Sequence, residues 1–523
     1  MSDDRLDPAQ LGLGDMDPED FRAHGHRVID WIADYLAGVG ELPVLSQVAP
    51  GEVRSRLPAS PPADPEPFDA MLDDIDEVVL PGITHWNHPA FHAYFAITGS
   101  GPGILGEALA AGFNVNGMLW RTSPSATELE ETVVDWVRQL LGLPTGMRGI
   151  ILDTASMSTM VALAAAREHA DLDVRQRGLA GRPDLPLLRV YTSQEAHSSV
   201  EKAAIALGLG RDGVRQVEVD DQWRMDPAAL AAAVREDVRF GYRPIAIVPT
   251  VGTTSTTSID PVPAIMDLRD ELVAELGHDI WVHVDGAYGA TAAVSPRLRW
   301  VLDGVERADS LVVNPHKWLF TPIDCSVLLL RDPATLTRAF SLIPEYLATD
   351  DGEVTDYMNW GVQLGRRFRS LKLWMVLRYF GADGLAARID HHVAQAARVV
   401  RWVAEHPAVV QAAPAPLSTV CFRAEPATLD LGASTLETGA LPSDAPTGED
   451  AAAVEASLRE QRLDELNQAW LDRVNATGEV LLSHTRLEGR LVLRLAVGSL
   501  RTTDDHLEAT LAVLDRELRA LCD

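Results

Sequence analysis

The sequence predicts an α/β protein with a mainly parallel central sheet, preceded by a helical arm and followed by a small α+β domain. Three observations lead there. From about residue 101 to 370, short β-rich runs alternate with Ala/Leu-rich helical runs. Residues 1–100 carry helical spacing but little apolar mass, and residues 371–523 combine one long helical run with separate strand-like runs. Strands that are apolar on both faces and separated by helices belong to a sheet covered by helices on either side.

In the arm, residues 17–40 place Phe21, Val28, Ile29, Ile32 and Leu36 near helical spacing, with Asp17 as N-cap and Pro18 at the first helical position. The stretch LPASPPADPEPFDA separates this helix from a second short one, so the arm is expected to pack against something else. The segment 101–370 then reads GIILD, TMVALAAAREHA, LLRVYTS, SVEKAAIALG, VRQVEVD, DPAALAAAVRED, PIAIVPT, PAIMDLRDELVAEL, IWVHVDG and SLVVNPH. In such a sheet the functional loops follow the strand C-termini. A helical section from Phe368 to about Glu405 leads into LSTVCFRAE and RLVLRLAVG, the strands of the small domain. Residues 424–460 between them, rich in Ala, Thr, Pro, Gly and acid, read as a mobile surface loop or a disordered insertion.

The 523 residues are enough for a large enzyme-sized body, and 46% hydrophobic against 23% charged side chains is ordinary globular usage. A net charge of −31 argues against binding nucleic acid or anionic membrane. Cys325, Cys421 and Cys522 are too scattered for a disulfide framework or zinc knuckle. The acidic opening shows no secretory signal and there is no long apolar run, so a cytoplasmic location is expected. Lys202, Lys317 and Lys372 are the only lysines, which leaves three candidates for amine chemistry.

Gly208, Gly210 and Gly213 match G-x-G-x-x-G, but a helix precedes them and a strand follows, the reverse of a dinucleotide site. His85, His88 and His92 have metal-like spacing, yet Pro89 interrupts any helix that would align them, and no metal is expected there. His391 and His392 are adjacent on a predicted helix and read as surface. The informative pair is Asp285, closing the apolar strand of IWVHVDGAYG, and Lys317, delivered after the strand of SLVVNPHKWLF with Asn314 and His316 beside it. A buried ion pair would explain both. So would pyridoxal phosphate, whose aldehyde takes a lysine and whose ring nitrogen takes a carboxylate. GIILDTASMSTMVALAAAR, a strand running directly into a helix, offers Thr154, Ala155 and Ser156 as donors to its phosphate.

Together NPHKW at 314–318, HVDGAY at 283–288, EAHSSVEKA at 195–203, TSPSATELE at 122–130 and LGRRFRSLKLW at 364–374 resemble the group II pyridoxal-phosphate decarboxylases, most closely the aromatic-L-amino-acid decarboxylases. The resemblance implies fold type I, the aspartate aminotransferase-like fold of pyridoxal-phosphate enzymes. It implies that Lys317 forms the imine, Asp285 partners the ring nitrogen, His197 stacks on the cofactor and Ala287 packs on the opposite face. Thr254 would lie near the cofactor, with Thr154, Ala155, Ser156, Asn314 and His316 around the phosphate. Tyr346 matches a loop tyrosine that delivers a proton after CO2 leaves; relatives with phenylalanine there make aldehydes. By the same resemblance Trp86, Tyr94, Phe95, Ile97, Met118 and Gly365 face the substrate. Ile97 replaces a hydroxyl common in catechol-acting members, and Gly365 accompanies indolic substrates, which favours tryptophan-like or phenylalanine-like amino acids. The expected reaction is decarboxylation to the amine, the alternatives being an aromatic aldehyde synthase or a glutamate- or histidine-type decarboxylase. The expected assembly is a homodimer clasped by the arm.

Overall fold

The computed structural model describes residues 12, 14–342, 354–427 and 449–522. They form two compact units, one of Met1–Tyr94, Asp430–His484 and Arg501–Asp523, the other of Phe95–Leu429 and Thr485–Leu500. In the first unit the helix Pro18–Gly38 begins as the sequence predicts, with the Asp17 carboxylate accepting from the Glu19 N–H at 2.8 Å. None of its residues is buried. Helices Glu449–Ala476 and Asp504–Cys522 are joined by the Trp470 indole N–H, which donates to the Leu514 carbonyl at 3.0 Å. The helix from Glu449 takes up the end of the stretch expected to be a loop. Its Ala and Glu content, which reads as solvated chain, is equally that of a strong helix former. Residues 428–448 lie outside the described residues.

The second unit is built on seven strands: β1 (Arg148–Leu152), β2 (Leu187–Ser193), β3 (Val214–Val217), β4 (Tyr242–Val248), β5 (Trp281–Asp285), β6 (Ser310–Val313) and β7 (Ser326–Leu330). Their order is β1-β7-β6-β5-β4-β2-β3. Neighbours from β6 through β5, β4 and β2 to β3 are parallel, while β7 runs antiparallel to both β6 and β1. Every residue of β5 and β6 is buried. Ile150, Ala246, Val248, Trp281 and Leu328 pack with Val161, Ala162 and Ala165 of the helix Ala155–His169 on one face, and Val282, Val284, Leu311 and Val313 join the core on the other. Covered on both faces, these strands lose the alternation of a half-exposed sheet and read as continuous apolar runs.

A second, antiparallel sheet has the order β10-β11-β9-β8, from β8 (Val409–Gln411), β9 (Thr419–Ala424), β10 (Ser483–Leu487) and β11 (Arg490–Ala496). The helix Arg369–Glu405 leads into it and is interrupted at Gly381, whose φ is 64°. Among the described residues no helix is long and apolar enough to cross a membrane.

Candidate active site

A parallel sheet gathers the C-terminal ends of its strands along one edge, and three of the expected residues meet there. β5 ends at Asp285, in register with Val312 of β6, and β6 runs through Asn314 into the short helix Pro315–Trp318 that carries Lys317. Asp285 is buried, and its Oδ1 accepts from the Ala287 N–H at 3.1 Å. Its backbone is tied on both sides to the loop after β4, donating to the Pro249 carbonyl at 2.9 Å and accepting from the Val251 N–H at 2.8 Å. That loop touches the next one backbone to backbone. Gly252 has φ +88° and a Cβ there would stand 2.9 Å from Gly289, so both the turn and the close approach require glycine. Thr254 is exposed on this loop.

The Lys317 amine lies 5.2 Å from the centroid of the Phe95 ring, and the Arg494 guanidinium carbon 4.8 Å from the same centroid. Burial lowers the Lys317 pKa; the Asp285 charge opposes this and Arg494 adds to it. His197 sits on the loop between β2 and the helix Ser199–Ala206, with its Nδ1 accepting from the Ser199 N–H at 3.1 Å. Desolvation lowers its pKa, Asp285 acts in the other direction, and Lys317 and Lys202 lower it further. His197, Asp285 and Lys317 thus share one electrostatic neighbourhood. Ala287 is buried beside them, and its carbonyl accepts from the Asn314 N–H at 3.1 Å.

Asn314 and His316 form a buried pair. His316 Nδ1 accepts from the Cys325 N–H at 3.0 Å, and burial pushes its pKa down to about 3, so the neutral ring carries its proton on Nε2. Nε2 lies 3.2 Å from the Asn314 amide, where only the amide oxygen can accept. Turned so that its oxygen faces Nε2, the amide puts its NH2 at the buried position where Asn314 has no partner among the described residues. The helix Ala155–His169 opens on Thr154, whose N–H and hydroxyl both donate to Asp153 Oδ1, at 2.5 and 3.1 Å. The first-turn N–H groups of Ala155 and Ser156 have no helical acceptor. An orphaned amide donor and an open helix N-terminus are what a phosphate group requires. With a partly exposed lysine and a buried carboxylate alongside, the residues fit pyridoxal phosphate.

The residues expected at the substrate end separate into groups. Phe95 belongs to the lysine group and stacks on Tyr288 at 3.9 Å; Ile97 is partly buried nearby in sequence. Met118 and Gly365 meet around Asn116, which donates to Met118 Sδ at 3.4 Å and accepts from the Arg366 N–H at 2.9 Å. Arg366 donates to the Ile151 carbonyl at 2.9 Å, and Gln363 to Asp153 at 3.3 Å, so this group borders the end of β1 and Thr154. Trp86 and Tyr94 lie in the first unit, stacked on each other at 5.8 Å. Tyr346 lies outside the described residues.

Sequence reasoning missed the aromatic column behind Lys317. Tyr288 stacks on Trp318 at 4.8 Å, and the Trp318 indole N–H donates to His392 Nδ1 at 2.9 Å. The surface reading of His392 is therefore corrected: it is buried and its pKa is pushed down to about 4, while His391 remains exposed. Adjacent helical residues point about 100° apart, so one of a pair can face the core while the other faces solvent. Within the first unit, His85 Nδ1 pairs with the Tyr35 hydroxyl at 2.9 Å, His88 Nδ1 accepts from the Ala90 N–H at 2.9 Å, and His92 Nε2 lies 3.2 Å from the Thr510 hydroxyl.

Comparison with known proteins agrees with this geometry. The pyridoxal-dependent decarboxylase conserved domain matches residues 50–425. The chain is 38% identical to tyrosine decarboxylase 3 of Petroselinum crispum over 530 residues, covering 99% of this chain and 96% of the relative. It is 37% identical to a phenylacetaldehyde synthase of Arabidopsis thaliana over 516 residues, covering 97% of each. The crystal structure of Oryza sativa TDC with PLP and tryptamine superposes with a TM-score of 0.87 at 36% identity, covering 98% of this chain and 100% of the other.

Proposed function

This chain belongs to the pyridoxal-dependent decarboxylase family, and from that membership we propose that it converts an aromatic L-amino acid to the corresponding amine and CO2. The observation that carries the reading is the meeting of Asp285 and Lys317 at the ends of adjacent parallel strands, close enough for the carboxylate to act on the pKa of the amine. When bound, pyridoxal phosphate supplies an aldehyde for the substrate amine and a protonated pyridine that accepts the electron pair of the breaking bond. Lys317 would tether it; a lowered pKa leaves more free amine at neutral pH. Asp285 would keep a proton on the ring nitrogen, with His197 and Ala287 on opposite faces of the ring and Thr254 nearby. The Asn314 amide, oriented by His316, would hold the phosphate with Thr154, Ala155 and Ser156.

The walls of the site would set the α-carboxylate perpendicular to the ring, the orientation in which losing CO2 is favoured over losing the α-proton. Tyr346 would then return a proton to the α-carbon. Phe95, Ile97, Met118 and Gly365 would line an apolar pocket, and the absence of a hydroxyl at Ile97 supports tryptophan-like or phenylalanine-like substrates over catechols. Leu105, Leu109 and Phe113 lie about one turn apart along the helix Gly101–Phe113 and are 48%, 49% and 60% exposed, an apolar stripe that supports a homodimer. In this reading the dimer works in the cytoplasm.

The test is a product assay over the aromatic amino acids, following CO2, amine, ammonia and peroxide, with borohydride labelling of the loaded enzyme. Equal CO2 and amine, with the label on Lys317 and none in Lys317→Ala, is the expected result. Ammonia and peroxide in step with CO2 would establish instead the aldehyde-forming reading that the likeness to phenylacetaldehyde synthase favours.

A further inference from the structure

Trp281, His283 and Asp285 alternate with Val282 and Val284 along β5, so by the two-residue period of a strand their side chains share the face covered by the helix Ala155–His169. Ser310 on β6 joins the first two. The Trp281 indole nitrogen lies 2.9 Å from Ser310 Oγ, and Ser310 Oγ lies 2.9 Å from His283 Nδ1. An indole N–H can only donate, so the serine oxygen accepts from it, and the serine hydroxyl hydrogen can then go to His283 Nδ1. An accepting Nδ1 places the imidazole proton on Nε2. His283 is completely buried, and burial pushes its pKa down to about 4, which keeps the ring neutral.

Read in that direction, the donors run from Trp281 through Ser310 to His283, whose buried Nε2 has no partner among the described residues. Asp285 stands two residues on along the same face, about 7 Å further up the strand, and its charge acts on the His283 ring. On the neighbouring segment Thr250 pairs with Asp285 in a parallel bridge, and the Thr250 hydroxyl is also buried without a partner among the described residues. Unmatched polar atoms are uncommon in protein interiors, and an internal water typically serves about three of them.

We propose that His283 is a positioning residue for Asp285: its Nε2–H and the Thr250 hydroxyl hold one internal water against the Asp285 carboxylate, so that a relay starting at Trp281 orients and stabilises that charge. The inference rests on the reading of Asp285 as partner of the cofactor's ring nitrogen. It assigns a role to the histidine of HVDGAY, which touches neither cofactor nor substrate in that reading.

The test compares His283→Leu, which has no donor, with His283→Gln, whose amide places a donor near the former Nε2. Pyridoxal phosphate is titrated into each full-length apoprotein, and affinity and the visible spectrum are recorded. His283→Leu is expected to bind about tenfold more weakly and to shift the visible band, with His283→Gln recovering most of both. Parent-like affinity and spectrum in His283→Leu would overturn the inference, and so would a His283→Gln variant as weak as His283→Leu, since packing would then be the cause. If His283→Leu does not fold, the parent protein with 15N-labelled histidine decides. The His283 ring must show a bare Nδ1 and a protonated Nε2 whose signal moves on cofactor addition; the other tautomer, or a static signal, overturns the inference. A parent that takes up no pyridoxal phosphate refutes the functional reading itself, and is recognisable because parent and variants then fail alike.

Discussion

Replacing Glu130 by alanine removes one half of an ion pair whose side chains are 3% and 4% exposed. Glu130 Oε1 accepts from Arg366 Nη2 at 2.6 Å and from the Ile151 N–H at 2.8 Å. Arg366 cannot follow its partner out, because it also donates to the Ile151 carbonyl at 2.9 Å and the Gly117 carbonyl at 3.3 Å, and its guanidinium carbon lies 4.5 Å from the Tyr357 ring centroid. Breaking a buried pair from one side costs about 3–5 kcal/mol, a range that already contains most of the cost of the orphaned N–H. Glu130→Ala should therefore lose about 4 kcal/mol. Glu130→Gln, which keeps an acceptor, should lose about half of that. Urea unfolding followed by tryptophan fluorescence measures both. Removing the two charges together, as Glu130→Met with Arg366→Met, should cost at least about 2 kcal/mol less than the sum of the single changes. A loss below about 1 kcal/mol in Glu130→Ala, or strict additivity in the cycle, would refute the argument that this pair clamps Gly117 and the end of β1 beside Thr154.

Three further outcomes are expected. Gly252→Ala meets both a φ of +88° and the backbone of Gly289 at 2.9 Å; it should destabilise by about 2 kcal/mol and weaken cofactor binding, read as a lower urea midpoint and a higher dissociation constant. Asp260 is buried and accepts from the Met225 and Thr250 N–H groups at 2.7 Å each, and burial pushes its pKa up to about 7. A raised folded-state pKa means that its contribution is fully present below the unfolded value of about 3.9 and is lost as pH climbs through about 7. Asp260→Asn should flatten that part of the stability-versus-pH curve, and an unchanged slope between pH 5 and 8 would discount it. Tyr346→Phe should keep the cofactor while oxygen consumption, ammonia and aldehyde rise at the expense of amine; an unchanged amine yield would remove Tyr346 from proton delivery.

Much of the site was legible because its residues sit in short contiguous strings. HVDGAY and NPHKW each join the end of a buried strand to a reactive side chain, and such strand ends in a parallel sheet necessarily share an edge. What escaped notice depends on contacts between segments remote in sequence. Trp318 and His392, or Glu130 and Arg366, are separated by 74 and 236 residues. The strand β7 was missed for a related reason: SVLLL is apolar after its first residue, and nothing local to it specifies which neighbours it joins or in which direction.

From its residues alone the chain determined an α/β class, the helical start at Asp17, the strand carrying Asp285 and the loop carrying Lys317, because periodicity, capping and strand-end placement are properties of neighbouring residues. Only the folded arrangement decided which nitrogen of His316 bears the proton, which end of the Asn314 amide is left unmet, and why His392 is buried while His391 is not. Those outcomes depend on burial and on hydrogen-bond partners brought in from distant strands, and neither exists until the sheet has assembled.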